Sequence, residues 1–177
     1  MSAFVVEVNV AIVANGKCDQ ANAACVRACQ EIIMQVRCGG VIVLDDRMRI
    51  LDEYMRNLSM RGQPGLGDAF MKWVWEHQAD PSVCEKVALT LRSNDPEDFA
   101  QFPQDSALAK FDPSDKRYVA AALASHNNPE LLNAVDSDYW DFREPLEKYG
   151  VKVRFLCRDC LRKLPADGRK KRPRFRS

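Results

Sequence analysis

No stretch of the 177 residues is long and apolar enough to cross a bilayer. The longest apolar run, residues 4 to 14, is broken by Glu7 and Asn9 and falls short of the ~20 residues a spanning helix needs. No basic segment opens a secretory signal, so the expected compartment is the cytoplasm, with no membrane partner. Histidine is scarce. His77 and His126 are the only two, neither sits in an HxxxH, and no Ser/His/Asp or Cys/His set forms around them, which argues against a nucleophilic side chain. Glycine is sparse as well, with one rich stretch, GQPGLG at 62–67. It lacks the Lys-Ser/Thr of a phosphate-binding loop and follows a helix rather than a strand, so it reads as a linker.

Cysteine is present without a disulfide-framework pattern. The count is seven, at positions 18, 25, 29, 38, 84, 157 and 160, scattered through apolar surroundings. An odd, scattered set predicts reduced thiols that pack as small hydrophobes. Cys157-x-x-Cys160 is half of a zinc-site pattern, but no second pair stands at finger-like spacing.

The length fits one domain with a real core, and 46% hydrophobic residues exclude wholesale disorder. Charge is divided unevenly. Residues 152–177 carry 11 Lys/Arg against Asp159 and Asp167, while the whole chain is only +1, so the body is acidic and its end basic. That asymmetry favours a polyanionic partner or attraction between the two parts. The expected organisation is a domain over 1–164 and a basic tail over 165–177.

Hydrophobic patterning gives the elements. FVVEV (4–8) reads as a buried strand running on to a turn at Asn15-Gly16. Asp19 is placed to cap a helix whose Ala24, Cys25, Ala28, Cys29, Ile32, Ile33 and Val36 share one face until Gly39-Gly40. VIVL (41–44) is a second strand, and Asp45 or Asp46 caps a helix with Ile50, Leu51, Tyr54 and Leu58 inward. Asp68 opens a helix with Phe70, Trp73 and Val74. Residues 83–91 fit strand and helix equally. Three prolines between 93 and 114 indicate a loop or very short helices. Ser114 caps a helix over 115–125; 131–135 is a strand, 138–149 a helix, and 151–156 a final strand. Strands alternating with helices over short connections imply an α/β fold with parallel pairing and helices on both faces.

Open parallel sheets bind ligands beyond the carboxyl ends of their strands, and acids recur there. Glu7 and Asn9 end the first strand, Asp136 and Asp138 follow a later one, Asp115 opens the helix before it, and Glu53 lies on the helix after the second strand. Acids converging at one edge repel each other unless a cation sits among them. Mg²⁺ or Mn²⁺ suits them, since hard ions take carboxylate oxygens and leave positions for phosphate.

Four blocks, VVEVNV (5–10), ILDEY (50–54), FDPSDKRYVAAAL (111–123) and NAVDSDYW (133–140), resemble the ordered motifs of the PIN domain. The resemblance spans residues 4 to 156. It implies a three-layer α/β/α sandwich around a central, mainly parallel sheet, and a Mg²⁺/Mn²⁺-dependent ribonuclease in which metal-activated water hydrolyses a phosphodiester. Many such proteins are toxins of toxin–antitoxin pairs or defence effectors, so RNA, an antitoxin or other protein partner, and a homodimer are the implied partners. By motif, Glu7, Glu53, Asp115 and Asp136 take the catalytic positions, with Glu7, Asp115, Asp136 and Asp138 as metal ligands and Asn9 orienting Glu7. Two positions depart from the family pattern: Glu7 stands where Asp is usual, and Ala134 where Thr or Ser is usual. The alternative reading is therefore a catalytically impaired module that holds RNA or a protein. Phosphate contacts are expected from Lys116 and Arg117 and from the tail cations Arg169, Lys170, Lys171, Arg172, Arg174 and Arg176.

Overall fold

A computed structural model describes residues 2–161. In chain order the elements are β1 (Ala3–Val6), α1 (Val8–Ala14), α2 (Ala23–Arg37), β2 (Val41–Asp45), α3 (Arg49–Asn57), α4 (Leu66–His77), β3 (Cys84–Val87), α5 (Lys116–Ala124), β4 (Glu130–Asn133), α6 (Ser137–Asp141), α7 (Arg143–Lys148), β5 (Lys152–Phe155) and α8 (Arg158–Leu161). Single 3₁₀ turns occupy Ser106–Leu108 and Pro113–Asp115. The class is α/β, as expected, with every strand pairing parallel. The residues proposed for a basic tail lie outside the described residues, as does the boundary at 164.

The five strands run in the order β3-β2-β1-β4-β5. Register is set by pairs such as Phe4 with Ile42 and Val6 with Leu132 on either side of β1, and Asn133 with Phe155 at the far edge. Central β1 is buried at all four positions, which is why it reads as an uninterrupted apolar run. Edge strand β5 instead alternates, with Lys152 and Arg154 facing water, a pattern that keeps an open edge from pairing with another chain. The chain builds outward from β1 to β2 and β3, then crosses back to β4 and β5. The direction of winding therefore reverses between β1 and β4, and the crevice at their carboxyl ends is the natural ligand site.

Several sequence expectations are corrected. The strand expected over 4–8 stops at Val6, and Val8–Ala14 forms α1, buried at all seven positions. A helix buried all round has no solvent face and so carries no 3.6-residue signal. Asn22, not Asp19, caps α2, its side chain accepting from the Cys25 amide at 2.9 Å. The 83–91 ambiguity resolves as a strand, and the helix expected over 138–149 is two short helices meeting at Phe142. Asp112 rather than Ser114 caps the turn before α5.

The stretch read as a linker ends inside α4. Asp68 accepts from the Ser59 and Gly65 amides at 2.9 and 2.8 Å, and the Asn15 side chain accepts from Gly67 N at 2.8 Å. Gly67 sits where α4 crosses α1 so closely that a Cβ would lie 1.9 Å from the Ala11 carbonyl oxygen. No side-chain rotation relieves a contact with backbone. Gly67→Ala is therefore expected to lower unfolding stability by about 2 kcal/mol, read as a fall in the urea midpoint at unchanged slope.

The thiols are not all reduced. Cys25 on α2 and Cys157 after β5 form a disulfide, with Cα atoms 5.2 Å apart and 132 residues between them in sequence. Cys18, Cys29 and Cys84 are buried thiols, consistent with the apolar role expected of them.

Candidate active site

Glu7 is the first residue past β1 and the N-cap of α1, its carboxylate accepting from Asn9 N at 2.8 Å. A strand that turns straight into a helix after one residue points that residue's side chain out over the sheet edge. Asn9 fixes the other side of the crevice. Its Nδ2 donates to Asn133 Oδ1 at 2.9 Å, and its Oδ1 accepts from Ala134 N at 2.9 Å. Asn133, the last residue of β4, in turn donates to the Asp136 carbonyl at 2.9 Å and accepts from Asp136 N. Asn9 thus ties α1 to the turn that carries Asp136. Its side chain orients that side of the site, whereas toward Glu7, which it was expected to orient, it offers its backbone amide.

Asp136 caps α6 through the Asp138 amide at 2.8 Å, and Asp138 reaches back to accept from Asp112 N at 3.0 Å. Asp112 caps the turn that presents Asp115. Carboxylate oxygens of Asp112, Asp115 and Asp138 all lie within 4.8 Å of one another. Asp112 was not among the expected site residues, nor was Asn133. An Asp directly before a proline at the first helical position is a capping signature, and that signal in FDPSD was available.

The four acids placed by motif share one electrostatic environment. The Glu7 carboxyl is held well above its usual range, first by burial and then by repulsion from Asp115, Asp136 and Glu53. Asp115 is raised likewise, by burial and then by Asp136, Asp112, Glu53 and Asp138. Glu7 is 3% exposed and Asp115 and Asp138 are each 7% exposed, so water screens little of this repulsion. Glu53 enters from α3, where it accepts from the Tyr118 hydroxyl at 2.9 Å and lies 3.6 Å from the Arg117 guanidinium.

Three tyrosines wall the site. Tyr54 donates to the Val6 carbonyl, Tyr118 to Glu53, and Tyr139 to the Asp115 carbonyl at 3.4 Å. All three are fully buried and their hydroxyls are pushed up, first by burial and then by the neighbouring acids, so they act as neutral donors.

The cations expected to meet phosphate are placed differently. Arg117 is buried, paired with Glu97 and Glu53 and donating to the Arg49 carbonyl at 3.3 Å. It is therefore a structural cation between two acids rather than an exposed phosphate contact. Among the described residues its Nε and Glu97 Oε2 are buried without a hydrogen-bond partner. Lys116 lies over the Phe102 ring, 5.3 Å from its centroid. Arg169, Lys170, Lys171, Arg172, Arg174 and Arg176 lie outside the described residues.

The donor set suits a hard divalent cation. Several carboxylates converge, Glu7, Asp115 and Asp138 are buried, and their negative charges disfavour one another without a counter-ion. Comparison with protein-family models, with curated proteins and with solved structures finds no match for this chain.

Proposed function

We propose that this protein is a divalent-metal-dependent ribonuclease of PIN-like, three-layer architecture that hydrolyses RNA phosphodiester bonds at the carboxyl edge of β1 and β4. One observation carries the reading: acids from four separate chain segments, Glu7, Glu53, Asp112 with Asp115, and Asp136 with Asp138, gather at the point where the sheet's winding reverses. Several of these acids also cap helices or turns, but caps do not require them to converge, and buried like charges brought together in a crevice are characteristic of functional sites.

Glu7, Asp115, Asp136 and Asp138 would hold Mg²⁺ or Mn²⁺, with Asp112 closing the cluster. When bound, the ion supplies charge neutralisation at phosphate and acidifies water at neutral pH. The chain's own residues do the positioning. Asn9 and Asn133 lock the Glu7 and Asp136 backbones at a fixed separation across the crevice. Tyr118 and Arg117 hold Glu53 on the α3 side, where it can accept a proton at its carboxylate. The buried tyrosines exclude bulk water from beneath the acids.

A second reading rests on a specific feature. Glu53 is already paired with Arg117, and Glu7 replaces the family's shorter acid, a combination that suits a module that binds RNA without cutting it. Incubation with structured and unstructured RNA under Mg²⁺ and Mn²⁺ separates the two. Cleavage that disappears with chelator is the expected result. Retention of RNA without any product would favour the binding module, and neither cleavage nor retention would dismiss both.

A further inference from the structure

Three of the seven cysteines gather at one place from far apart in sequence, a fourth follows one turn on, and the carboxylate site uses none of them. Cys25 and Cys29 are one turn apart on α2, so both sulfurs fall on one helix face. α2 ends where β2 begins, which puts its first turn toward the opposite, carboxyl edge of the sheet. There β5 runs out into Cys157, whose carbonyl accepts from Cys160 N at 2.9 Å and Leu161 N at 3.2 Å, starting α8. The sulfurs of Cys25, Cys29 and Cys157 lie within 4.8 Å of one another, and all three residues are buried. Cys160, half-buried, lies one turn beyond Cys157 in α8.

We propose that, once the Cys25–Cys157 bond is reduced, Cys25, Cys29, Cys157 and Cys160 hold one structural zinc ion as a four-thiolate site. A tetrahedral centre with Zn–S bonds of about 2.3 Å sets its sulfurs about 3.8 Å apart, inside the envelope that three of them already occupy. Reduction frees the Cys25 and Cys157 sulfurs to separate toward that spacing. The spacing is also suitable: a Cys-x₃-Cys on a helix faces a Cys-x₂-Cys whose second member follows the first by one turn, its amide donating to the Cys157 carbonyl. Thiolate ligands select zinc over the magnesium-type ions that suit the carboxylates, so the two sites do not compete.

The chemistry balances with one reductant and one metal ion. A dithiol gives up two electrons and two protons and leaves as its own disulfide, and Cys25 and Cys157 each gain a hydrogen. Zinc then displaces the protons of the four thiols. The pair is therefore either a covalent clip or half of a metal clip. In both states α2 is fastened to the segment after β5.

The test uses the full chain, reduced with a phosphine, freed of metal, and titrated with Co²⁺ in excess Mg²⁺. The expected result is one equivalent bound with the intense sulfur-to-metal absorption of tetrahedral thiolate, which oxygen ligands do not produce, and displacement of Co²⁺ by Zn²⁺. The unreduced chain should show no such band. Cys29→Ser should weaken binding by more than about a hundredfold, and Cys160→Ser by at least about tenfold. On the unaltered chain, Zn²⁺ should protect four of seven thiols from a disulfide reagent, a readout independent of how the variants fold. Absence of the absorption, full thiol reactivity in Zn²⁺, or an unchanged affinity in Cys160→Ser would overturn the four-cysteine site.

Discussion

Asp136→Asn and Asp115→Asn are each expected to reduce metal-dependent RNA cleavage by about a thousandfold while leaving the chain folded. The folding half follows from local structure. Asp136 caps α6 by accepting from the Asp138 amide, and asparagine caps a helix start as well as aspartate does. Asp115 is buried among like charges, and losing its charge removes repulsion from Glu7, Asp136 and Glu53. Asp115→Asn should therefore raise the metal-free melting temperature, by an increment of about 1 kcal/mol at the midpoint, even as activity falls. Loss of activity together with a gain in stability is what a functional cluster predicts and what a structural one does not. Cleavage unchanged in both variants would remove these acids from the mechanism. A drop in stability in Asp115→Asn would show that its charge serves the fold.

Glu7→Asp sharpens the same point. The shorter carboxylate still caps α1 at Asn9 N but retracts by about 1.5 Å from the cluster, toward the length the resembled family uses.

How much of this could be read from residues alone depended on whether the relevant signal was local. Amphipathic α2, with Cys25, Cys29, Ile32, Ile33 and Val36 buried on one face, was legible because its polar face is exposed to water. α1 was not, because VNVAIVA is buried all round and its β-branched residues read as a continuation of β1. The same helix carries Asn9 and is capped by Glu7, so mistaking its start for strand concealed how Glu7 is aimed. Glu7, Asp115 and Asp136 were legible as acids near strand ends and helix starts, and Glu53 as one on the helix after β2, and the fold brings them within electrostatic reach of one another.

Their partners were harder to find. Asn133 matters through a side-chain bond to Asn9 across 124 residues, a contact no local pattern encodes. Arg117 looked like a cation beside the site, yet it points inward because Glu97, on an irregular loop, and Glu53, on α3, meet it there. The Cys25–Cys157 pairing is of the same kind: seven cysteines admit many connectivities, and only the placement of α2 against the end of β5 selects one.

Stability without metal is expected to fall as pH rises from the ordinary carboxylate range toward neutrality, and divalent cations are expected to reverse that slope. Glu7 and Asp115 both titrate above their unfolded values, first because they are buried and then because they face other acids. Between the unfolded and folded pKa values the folded chain holds more protons than the unfolded one. Raising the pH through that window therefore penalises the fold, and the penalty is complete once both groups ionise. Asp80 and Asp105 work in the opposite sense at lower pH. Hydrogen bonds from Ser82 to Asp80, and from Ala107 and Tyr149 to Asp105, depress their pKa values, so their stabilisation is lost on acidification below the unfolded carboxylate value. The metal-free melting temperature should thus pass through a maximum on the acid side of neutrality. On the proposed reading Mn²⁺ would compete with protons for the same oxygens, so its stabilisation should grow with pH, reaching about 2.7 kcal/mol at a free concentration a hundred times the dissociation constant. Melting curves at about pH 5 and about pH 8, with and without Mn²⁺, measure all four corners of this cycle. In Asp115→Asn the metal-free slope should flatten and the Mn²⁺ increment shrink. A wild-type metal-free slope that rises across the same interval, or a Mn²⁺ increment independent of pH, would mean that Glu7 and Asp115 are not the groups from which the ion displaces protons.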